Sequence, residues 1–436
     1  MKFKRIIILL LALILSLSLS GCAEERYEYV DECQRATEDG MLSEVYPEIY
    51  RGTSVTYVTW KDPDISEDGV AYDTFEEKYG IQINVQLISQ NTAVSTLAAD
   101  IAAGTQGDIF LDAGHFPSSL SVLQPLTTAK IDLENPFWNR SIIKASTLDG
   151  YPYLIDAFSN LETQVDICVY NKRIFRENDI KSPKDYHDEG KWTFENFYFA
   201  AKEVSKLGKE YTGVGILDET VFGAAGCSFF AYKNNKIELS MEPSLMQAMD
   251  LFARMKTEGI AKPDRKGFQE GMQGMAFTTC HGLRKIGYFT AMNPDDLGAT
   301  YLPVWNEGDE QQVTAPYRGY GIIEGAKNPV AAGLFLRTYL DVEVHDLSNE
   351  FHNPEVAHFF FEVTGAEIVY YRALDMAKEG GAQANCLDAW YKNSPDKLNA
   401  YFASETERLN KMVEDANKIF EDERAWIKEA EENGEI

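Results

Sequence analysis

Hydrophobic and polar positions alternate along the first third of the chain with the periods of strands and helices. Ser54–Trp60 and Ile81–Ile88 are rich in β-branched and aromatic residues and predict strands. Apolar residues at three-to-four spacing predict helices that end at Gly80 and Gly104. Asp108–Leu111 predicts a short buried strand. Strand, helix, strand, helix, strand is the order typical of a parallel sheet with helices on its faces.

The apolar run Leu161–Asn171 is the predicted centre of the organisation. It reads as a buried strand that turns into an amphipathic helix, and we interpret it as a crossing from one lobe of the protein to another. Leu297–Val304 predicts a second crossing. Further strands are predicted over Tyr211–Leu217, Met275–Thr278 and Tyr320–Ile323.

Capping residues predict where the later helices begin. Thr193 and Ser244 each precede an apolar helical stripe, and Asn328 with Pro329 combines a capping residue with a proline at the first helical position. The last segment, Leu398–Ala430, keeps three-to-four spacing throughout. It predicts a long amphipathic helix that wraps one lobe.

The N-terminal segment Met1–Gly21 is predicted to direct the chain out of the cytoplasm. Three cations precede the apolar run Ile6–Leu19, and small residues precede Cys22. This arrangement resembles the bacterial lipoprotein signal, which implies lipid attachment to Cys22. An ordinary secretory signal or a retained anchor is the alternative. Residues 22–52, polar and acidic, are interpreted as a tether.

Composition limits the classes of partner. With 436 residues, two domains are the expectation. Removal of the signal takes Lys+Arg from 41 to 38 against 69 Asp+Glu, a net charge of −31. Such a surface repels nucleic acid, which is therefore excluded as a partner, and it repels anionic lipid.

Cysteine usage argues against a disulfide framework. Five cysteines remain if Cys22 carries lipid, an odd number, and no Cys-x-x-Cys pair occurs. We expect buried free thiols and no zinc site. His345, His352 and His358 are too widely spaced to predict a metal-binding helix face, so no metal is expected.

Several short motifs follow one another in an informative order. They include Thr74–Gly80 (TFEEKYG), Ala102–Asp112 (AAGTQGDIFLD), Val169–Phe175 (VYNKRIF), Trp192–Phe197 (WTFENF) and Phe268–Phe277 (FQEGMQGMAF). Each is weak singly. In this order the chain resembles the extracellular solute-binding proteins of ABC importers, family 1, which includes maltose-binding protein.

The resemblance implies an α/β fold of the periplasmic-binding-protein type II. Two α/β lobes would be joined by hinge crossings and would close around a ligand cleft. It implies a monomer without cofactors that binds a carbohydrate and delivers it to a membrane permease, performing no catalysis itself. The expected division is 1–21 signal peptide, 22–52 tether, 53–160 and 299–342 lobe 1, and 161–298 and 343–436 lobe 2.

Two positions depart from the family pattern. The family often has an aromatic residue where this chain has Asp112, and another where it has Cys280 and His281. The first departure replaces a stacking face with a charge.

Ligand contacts in open α/β sheets lie on loops at the carboxyl ends of strands. Sugar-type ligands are held there by aromatic faces and planar polar groups. That rule selects Trp60, Asp62, Asp112, His115, Glu162, Gln164, Phe222, Thr278, His281, Arg284, Arg318 and Tyr320.

Each of these residues also has a plain structural alternative. Trp60 could be a core residue, Asp112 a helix cap, His281 a satisfied loop histidine and Arg318 a member of an exposed ion pair. The sequence leaves these alternatives open.

Catalytic motifs are not found. The chain has no P-loop, HExxH, GxSxG or dinucleotide-binding glycine motif. A surface polysaccharide-acting enzyme and an adhesion or sensing module stay as alternatives, as does the same transport role with a solute that is not a sugar.

Overall fold

The computed structural model describes residues 41, 47–60, 68–157, 165–215, 230–233, 236–239, 243–262, 268, 270–279, 293–341, 353–364, 366–371 and 395–434. The strands are β1 Ser54–Thr59, β2 Gln82–Leu87, β3 Ile109–Asp112, β4 Leu123–Gln124, β5 Thr147–Leu148, β6 Tyr151–Pro152, β7 Asp166–Asn171, β8 Thr212–Gly215, β9 Phe230–Lys233, β10 Lys236–Leu239, β11 Ala261–Lys262, β12 Gln273–Thr279, β13 Leu297–Thr300, β14 Val313–Pro316, β15 Gly319–Ile323 and β16 Ile368–Tyr371. The α-helices are α1 Asp68–Tyr79, α2 Ala93–Ala103, α3 Arg140–Ala145, α4 Lys172–Glu177, α5 Pro183–Asp188, α6 Phe194–Ser205, α7 Pro243–Thr257, α8 Pro329–Tyr339, α9 Pro354–Thr364 and α10 Pro395–Asn433.

Two five-stranded sheets form the framework. The first has the order β2-β1-β3-β15-β4, with β1 parallel to β2 and β3, and β15 antiparallel to β3 and β4. The second has the order β11-β8-β12-β7-β13, with β7 antiparallel to both neighbours. The predicted parallel sheet is thus parallel over β1 to β3 and mixed elsewhere, because β15 returns through the sheet in the opposite direction.

Helices cover both faces of each sheet, as the alternation of side chains along a strand requires. In the first sheet Val55 and Tyr57 pack in the same core as helix α8, whereas Val58 lies in the core of the other face. In the second sheet, Cys168 packs with α6 and α7 in the same cluster that contains Val58, and Val169 packs in a separate cluster with α9. The predicted two-lobed α/β fold is confirmed.

The crossing strand β7 is buried at all six positions and lies within the second sheet. Its predicted first residues, 161–164, lie outside the described part of the chain. Leu297–Thr300 is a strand of the second sheet, paired with β7, and the chain leaves that sheet only after Thr300. The division expected at residue 299 therefore falls inside a strand whose backbone hydrogen bonds belong to the second sheet.

Helix starts agree with the sequence at one position and differ at two. The Thr193 hydroxyl accepts a hydrogen bond from the Asn196 N–H at 3.3 Å, as a cap does. Ser244 is not the cap, because α7 begins at Pro243, a residue suited to the first helical position. Asn328 does not cap with its side chain; its amide donates to the Ser54 carbonyl at 2.8 Å and so ties α8 to β1.

The predicted long C-terminal helix is present as α10. The expected division assigned residues 343–436 to the second lobe. The described buried residues of this helix are not confined to that lobe. Phe420 contacts Phe116, which follows β3 of the first sheet, and Phe420 and Ile427 belong to a cluster that contains residues of both sheets. The same helix runs alongside β10. Within the described residues, no helix is long and apolar enough to span a bilayer.

Candidate functional site

One edge of the first sheet gathers four of the predicted ligand residues. Trp60 follows the carboxyl end of β1, and Asp112 is the last residue of β3. Gly319 pairs with Asp112, so Arg318 enters β15 at this same edge. His115 follows β3 by three residues. The topology therefore brings side chains that are far apart in sequence to the edge where α/β sheets bind ligands.

Asp112 is fully buried and acts within its own segment. Its Oδ1 accepts a hydrogen bond from the His115 N–H at 2.7 Å, and its Oδ2 accepts one from the Ser119 hydroxyl at 2.5 Å. The sequence left a helix-cap role open, but Asp112 is not a helix cap, because the 3-10 helix that follows begins at Ser118 with Pro117 as its N-cap. The carboxylate holds the turn after β3 and fixes the position of His115.

His115 presents a polar atom with no described partner. Its ring lies 6.1 Å from that of Phe110, and its Nε2 is buried without a hydrogen-bond partner among the residues that the structure describes. A buried polar group without a partner costs free energy, about 1–3 kcal/mol. An imidazole nitrogen can bind a hydroxyl group as donor or acceptor, according to its tautomer.

The other predicted residues of this edge differ in exposure. Trp60 is half-buried and packs against the core of the first sheet. Arg318 is buried, with 9% of its surface exposed, so it is not the exposed ion pair that the sequence left open. Tyr320 is 1% exposed, and its ring packs 6.3 Å from Tyr57 and 5.9 Å from Tyr339. That environment favours a core role for Tyr320.

The matching edge of the second sheet is built around the start of β7. Thr278 of β12 is buried and pairs with Ile167. Asp166 is buried and accepts a hydrogen bond from the Thr314 hydroxyl at 3.0 Å, which joins β7 to β14, a strand of the two-stranded sheet with β16. The remaining predicted residues lie outside the described part of the chain: Asp62, Glu162, Gln164, Phe222, His281 and Arg284, together with Cys22.

Residues between the sheets include several that the sequence argument missed. Tyr370 of β16 is half-buried, its hydroxyl accepts a hydrogen bond from the Asn139 amide at 3.4 Å, and its ring lies 5.6 Å from that of Tyr317. Burial raises the pKa of the Tyr370 hydroxyl, so it stays neutral. Asp166 had one signal in the sequence, since it is an acid inside an otherwise apolar β-branched run. Tyr370 had none.

Two further sequence expectations concern thiols and metals. Cys168, the one cysteine among the described residues, is buried and free, and burial raises the pKa of its thiol. It is therefore an unreactive core residue. Within the described ranges, no group of three or more His, Cys, Asp or Glu side chains could hold a metal ion.

Comparisons with known proteins agree with this architecture. The family of bacterial extracellular solute-binding proteins matches residues 71–344, more than half of the chain. No curated protein matches the sequence.

Solved structures of the same fold come from several bacteria. An ABC substrate-binding protein from Listeria monocytogenes in complex with cycloalternan has a TM-score of 0.59 and 18% identity, over 84% of this chain and 98% of that one. The galacto-N-biose-/lacto-N-biose I-binding protein of Bifidobacterium longum has a TM-score of 0.62 and 14% identity, over 85% and 96%. The cyclic alpha-maltosyl-1,6-maltose binding protein of Arthrobacter globiformis has a TM-score of 0.60 and 14% identity, over 85% and 100%.

At these identities the structural neighbours establish the type II periplasmic-binding-protein fold, and the sequence family establishes the relationship. Members of that family are extracellular and bind solutes. The chain belongs to the bacterial extracellular solute-binding proteins.

Proposed function

We propose that this protein captures a carbohydrate between its two lobes and presents it to an ABC permease, anchored at the cell membrane by lipid on Cys22. The single observation that carries the ligand part is His115. A buried imidazole nitrogen without a described partner lies at the carboxyl edge of a sheet, where a sugar hydroxyl would satisfy it.

The carbohydrate class has additional support in the fold. The three structural neighbours described above were solved with, or are named for, oligosaccharide ligands. The edge itself offers a half-buried indole at Trp60 and a buried guanidinium at Arg318, which match the aromatic face and planar polar group used in sugar recognition. The site is therefore proposed to bind a neutral polyhydroxylated solute.

Calorimetry on the mature protein tests the ligand class. Maltotetraose, lacto-N-biose and D-mannitol are titrated beside a tripeptide and spermidine. We expect saturable heat from at least one of the three polyhydroxylated compounds. Heat from the peptide or the polyamine and from none of the other three would contradict the carbohydrate proposal.

Replacement of His115 tests the site. With whichever compound binds, His115→Ala is expected to weaken affinity about 10-fold to 100-fold, the value of one buried polar contact. Ser121→Ala is the matched control, because Ser121 is exposed on the same segment. Equal affinities for the two variants would remove His115 from the site.

The lipid anchor is a separate part of the proposal. It rests on the small residues before Cys22 and the cationic start of the signal. Cys22→Ser is expected to release the protein into the medium, whereas the parent chain stays with the membrane fraction and incorporates labelled fatty acid. Membrane retention of the serine variant would contradict it.

A further inference from the structure

The C-terminal half of α10 is fastened to the first lobe by three polar contacts. The Tyr153 hydroxyl donates to Glu423 Oε1 at 2.5 Å, and the Tyr151 hydroxyl donates to Glu431 Oε1 at 2.7 Å. Arg424 Nε donates to Asp149 Oδ2 at 2.9 Å in an ion pair whose side chains are 25% and 35% exposed. All three partners lie within residues 149–153. This part of the helix is thus a fixed component of the first lobe.

An aromatic contact connects this helix to the segment that carries His115. Phe420 is 2% exposed, and its ring meets that of Phe116 edge to face, with centroids 6.5 Å apart. On another side Phe116 stacks on Tyr317 at 5.2 Å. The Tyr317 hydroxyl donates to the Ala145 carbonyl at 3.1 Å. Phe116 is thereby held between α10 and a residue that leads into β15.

The segment after β3 is therefore held at two places. Asp112 fixes one by accepting hydrogen bonds from His115 and Ser119. Phe420 fixes the other through Phe116, the next residue after His115. A displacement of Phe116 changes the backbone that carries the imidazole, because the two residues share one peptide bond.

The same helix also reaches the second lobe. It runs alongside β10, which lies in the chain between β8 and α7, and both of these belong to the second lobe. At 1.5 Å per residue its 39 residues extend over about 58 Å, long enough to contact both lobes as one rigid rod.

We propose that α10 is a positioning element for the ligand site: through Phe420 and Phe116 it sets the placement of His115, and its passage beside β10 links that placement to the second lobe. The inference has two parts. The positional part states that α10 places the segment that carries His115, and it stands without the proposed function. The affinity part states that this placement affects ligand binding, and it rests on the proposed function.

Hydrogen–deuterium exchange tests the positional part without any ligand. Phe420→Ala is compared with Ile427→Ala, a variant of the same buried face about 10 Å further along the helix axis. Both lose apolar contact with the first lobe. We expect the alanine at 420 to raise exchange in a peptide covering residues 112–122 at least fivefold, and the alanine at 427 to leave that peptide within twofold of the parent.

Restoration of an aromatic ring separates positioning from general loosening. Phe420→Tyr keeps the ring that meets Phe116 and is expected to return the exchange of residues 112–122 to the parent level. Phe420→Leu, which keeps apolar bulk without a ring, supplies a second folded variant if the alanine variant unfolds. The leucine variant is expected to fall between alanine and tyrosine.

Calorimetry then tests the affinity part with maltotetraose, lacto-N-biose and D-mannitol. With the compound that binds, Phe420→Ala is expected to weaken affinity about fivefold to tenfold, and Ile427→Ala less than twofold. If the peptide or the polyamine binds and none of the three does, the proposed function fails and the exchange result alone decides the positional part. Equal exchange of residues 112–122 in the 420 and 427 variants would overturn the inference, and so would an unchanged affinity of the 420 variant.

Discussion

Both sheets pack aromatic rings against their helices, as Phe197 of α6 does on Phe277 of β12 at 4.8 Å, but they differ in how closely a helix approaches a strand backbone. On the first sheet, aromatic rings fill the space between strand and helix. Phe335 of α8 stacks on Tyr339 at 5.2 Å, meets Phe75 of α1 edge to face at 5.4 Å and lies 6.0 Å from Tyr57 of β1. These rings lie between the helix and strand backbones and keep them several ångströms apart.

On the second sheet a helix approaches a strand backbone directly. A Cβ atom added to Gly213 of β8 would lie 2.1 Å from the Ala201 carbonyl oxygen of α6. Residues 212–215 read TGVG, and a Cβ at Gly215 would likewise meet the buried Gln273 side chain. Close approach of this kind requires glycine.

The difference concerns how each lobe tolerates change. A ring that spaces two elements can be shortened at a cost that scales with the volume lost. Where a helix contacts a strand backbone directly, the stability cost does not scale with side-chain volume in this way. The helix must move before any side chain fits. Strand β8 at Gly213 should therefore be more sensitive to a single added methyl group than the aromatic contact of α8 is to the loss of a ring.

Gly213→Ala carries the largest expected effect. The new methyl group collides with main chain of α6, so we expect loss of the native second lobe, or destabilisation by more than about 4 kcal/mol, an exceptional value for one substitution. Urea unfolding monitored by circular dichroism measures it. Gly208→Ala is the control, because there the nearest atoms belong to the exposed, movable Glu210 side chain. Similar stability of the two variants would remove the proposed contrast.

Phe335→Ala probes the aromatic core of the first sheet. Phe335 is fully buried, so its truncation is expected to cost about 3–5 kcal/mol while the lobe still folds. Phe199→Ala removes a phenylalanine that is 47% exposed on α6 and should cost less than about 1 kcal/mol. Guanidinium unfolding curves give both values. A loss as complete as that of the Gly213 variant would show that the two cores respond alike.

The attachment of α10 to the first lobe should depend on pH. The pKa of Glu423 is raised to about 7: burial raises it most, the hydrogen bond from Tyr153 lowers it, and the Glu324 carboxylate raises it. Glu423 is half-buried beside Tyr153, which stays neutral in this range because burial raises its own pKa. Arg424 and Asp149 form the neighbouring ion pair.

The sign follows from the protonation of each state. Between about pH 4.5 and 7 the native state holds a proton that the unfolded state has released, so stability falls as pH rises through this window and stays low above it. The full shift corresponds to about 3 kcal/mol, and partial exposure reduces it to about 1–3 kcal/mol.

Glu423→Gln isolates this group from the other acids. Glutamine keeps an oxygen that accepts from Tyr153 but carries no charge. We expect the variant to match the parent in urea unfolding at pH 5 and to exceed it at pH 8. Glu421→Gln, at an exposed position two residues earlier, should show no such divergence. Parallel pH profiles of the parent and the 423 variant would contradict the prediction.

Local signals determined much of the framework. The periodicity of Ser54–Trp60 and the glycine at 104 predicted a strand and a helix end that the structure contains, the latter with Gly104 in the left-handed conformation at φ 70°. The cap at Thr193 followed from the residue alone. A strand, a helix end and a helix cap of this kind each depend on residues a few positions apart. The sequence by itself is therefore enough to predict them.

The order of strands and helices predicted an α/β sheet and pointed to the carboxyl ends of its strands, and the resemblance to the solute-binding family predicted the two-lobed fold. Tertiary structure decided the rest. Whether Asp112 caps a turn, whether Tyr320 lies in a core, and which lobe holds Phe420 depend on contacts between segments far apart in the chain. Such contacts are set by packing, and no local pattern of residues records them.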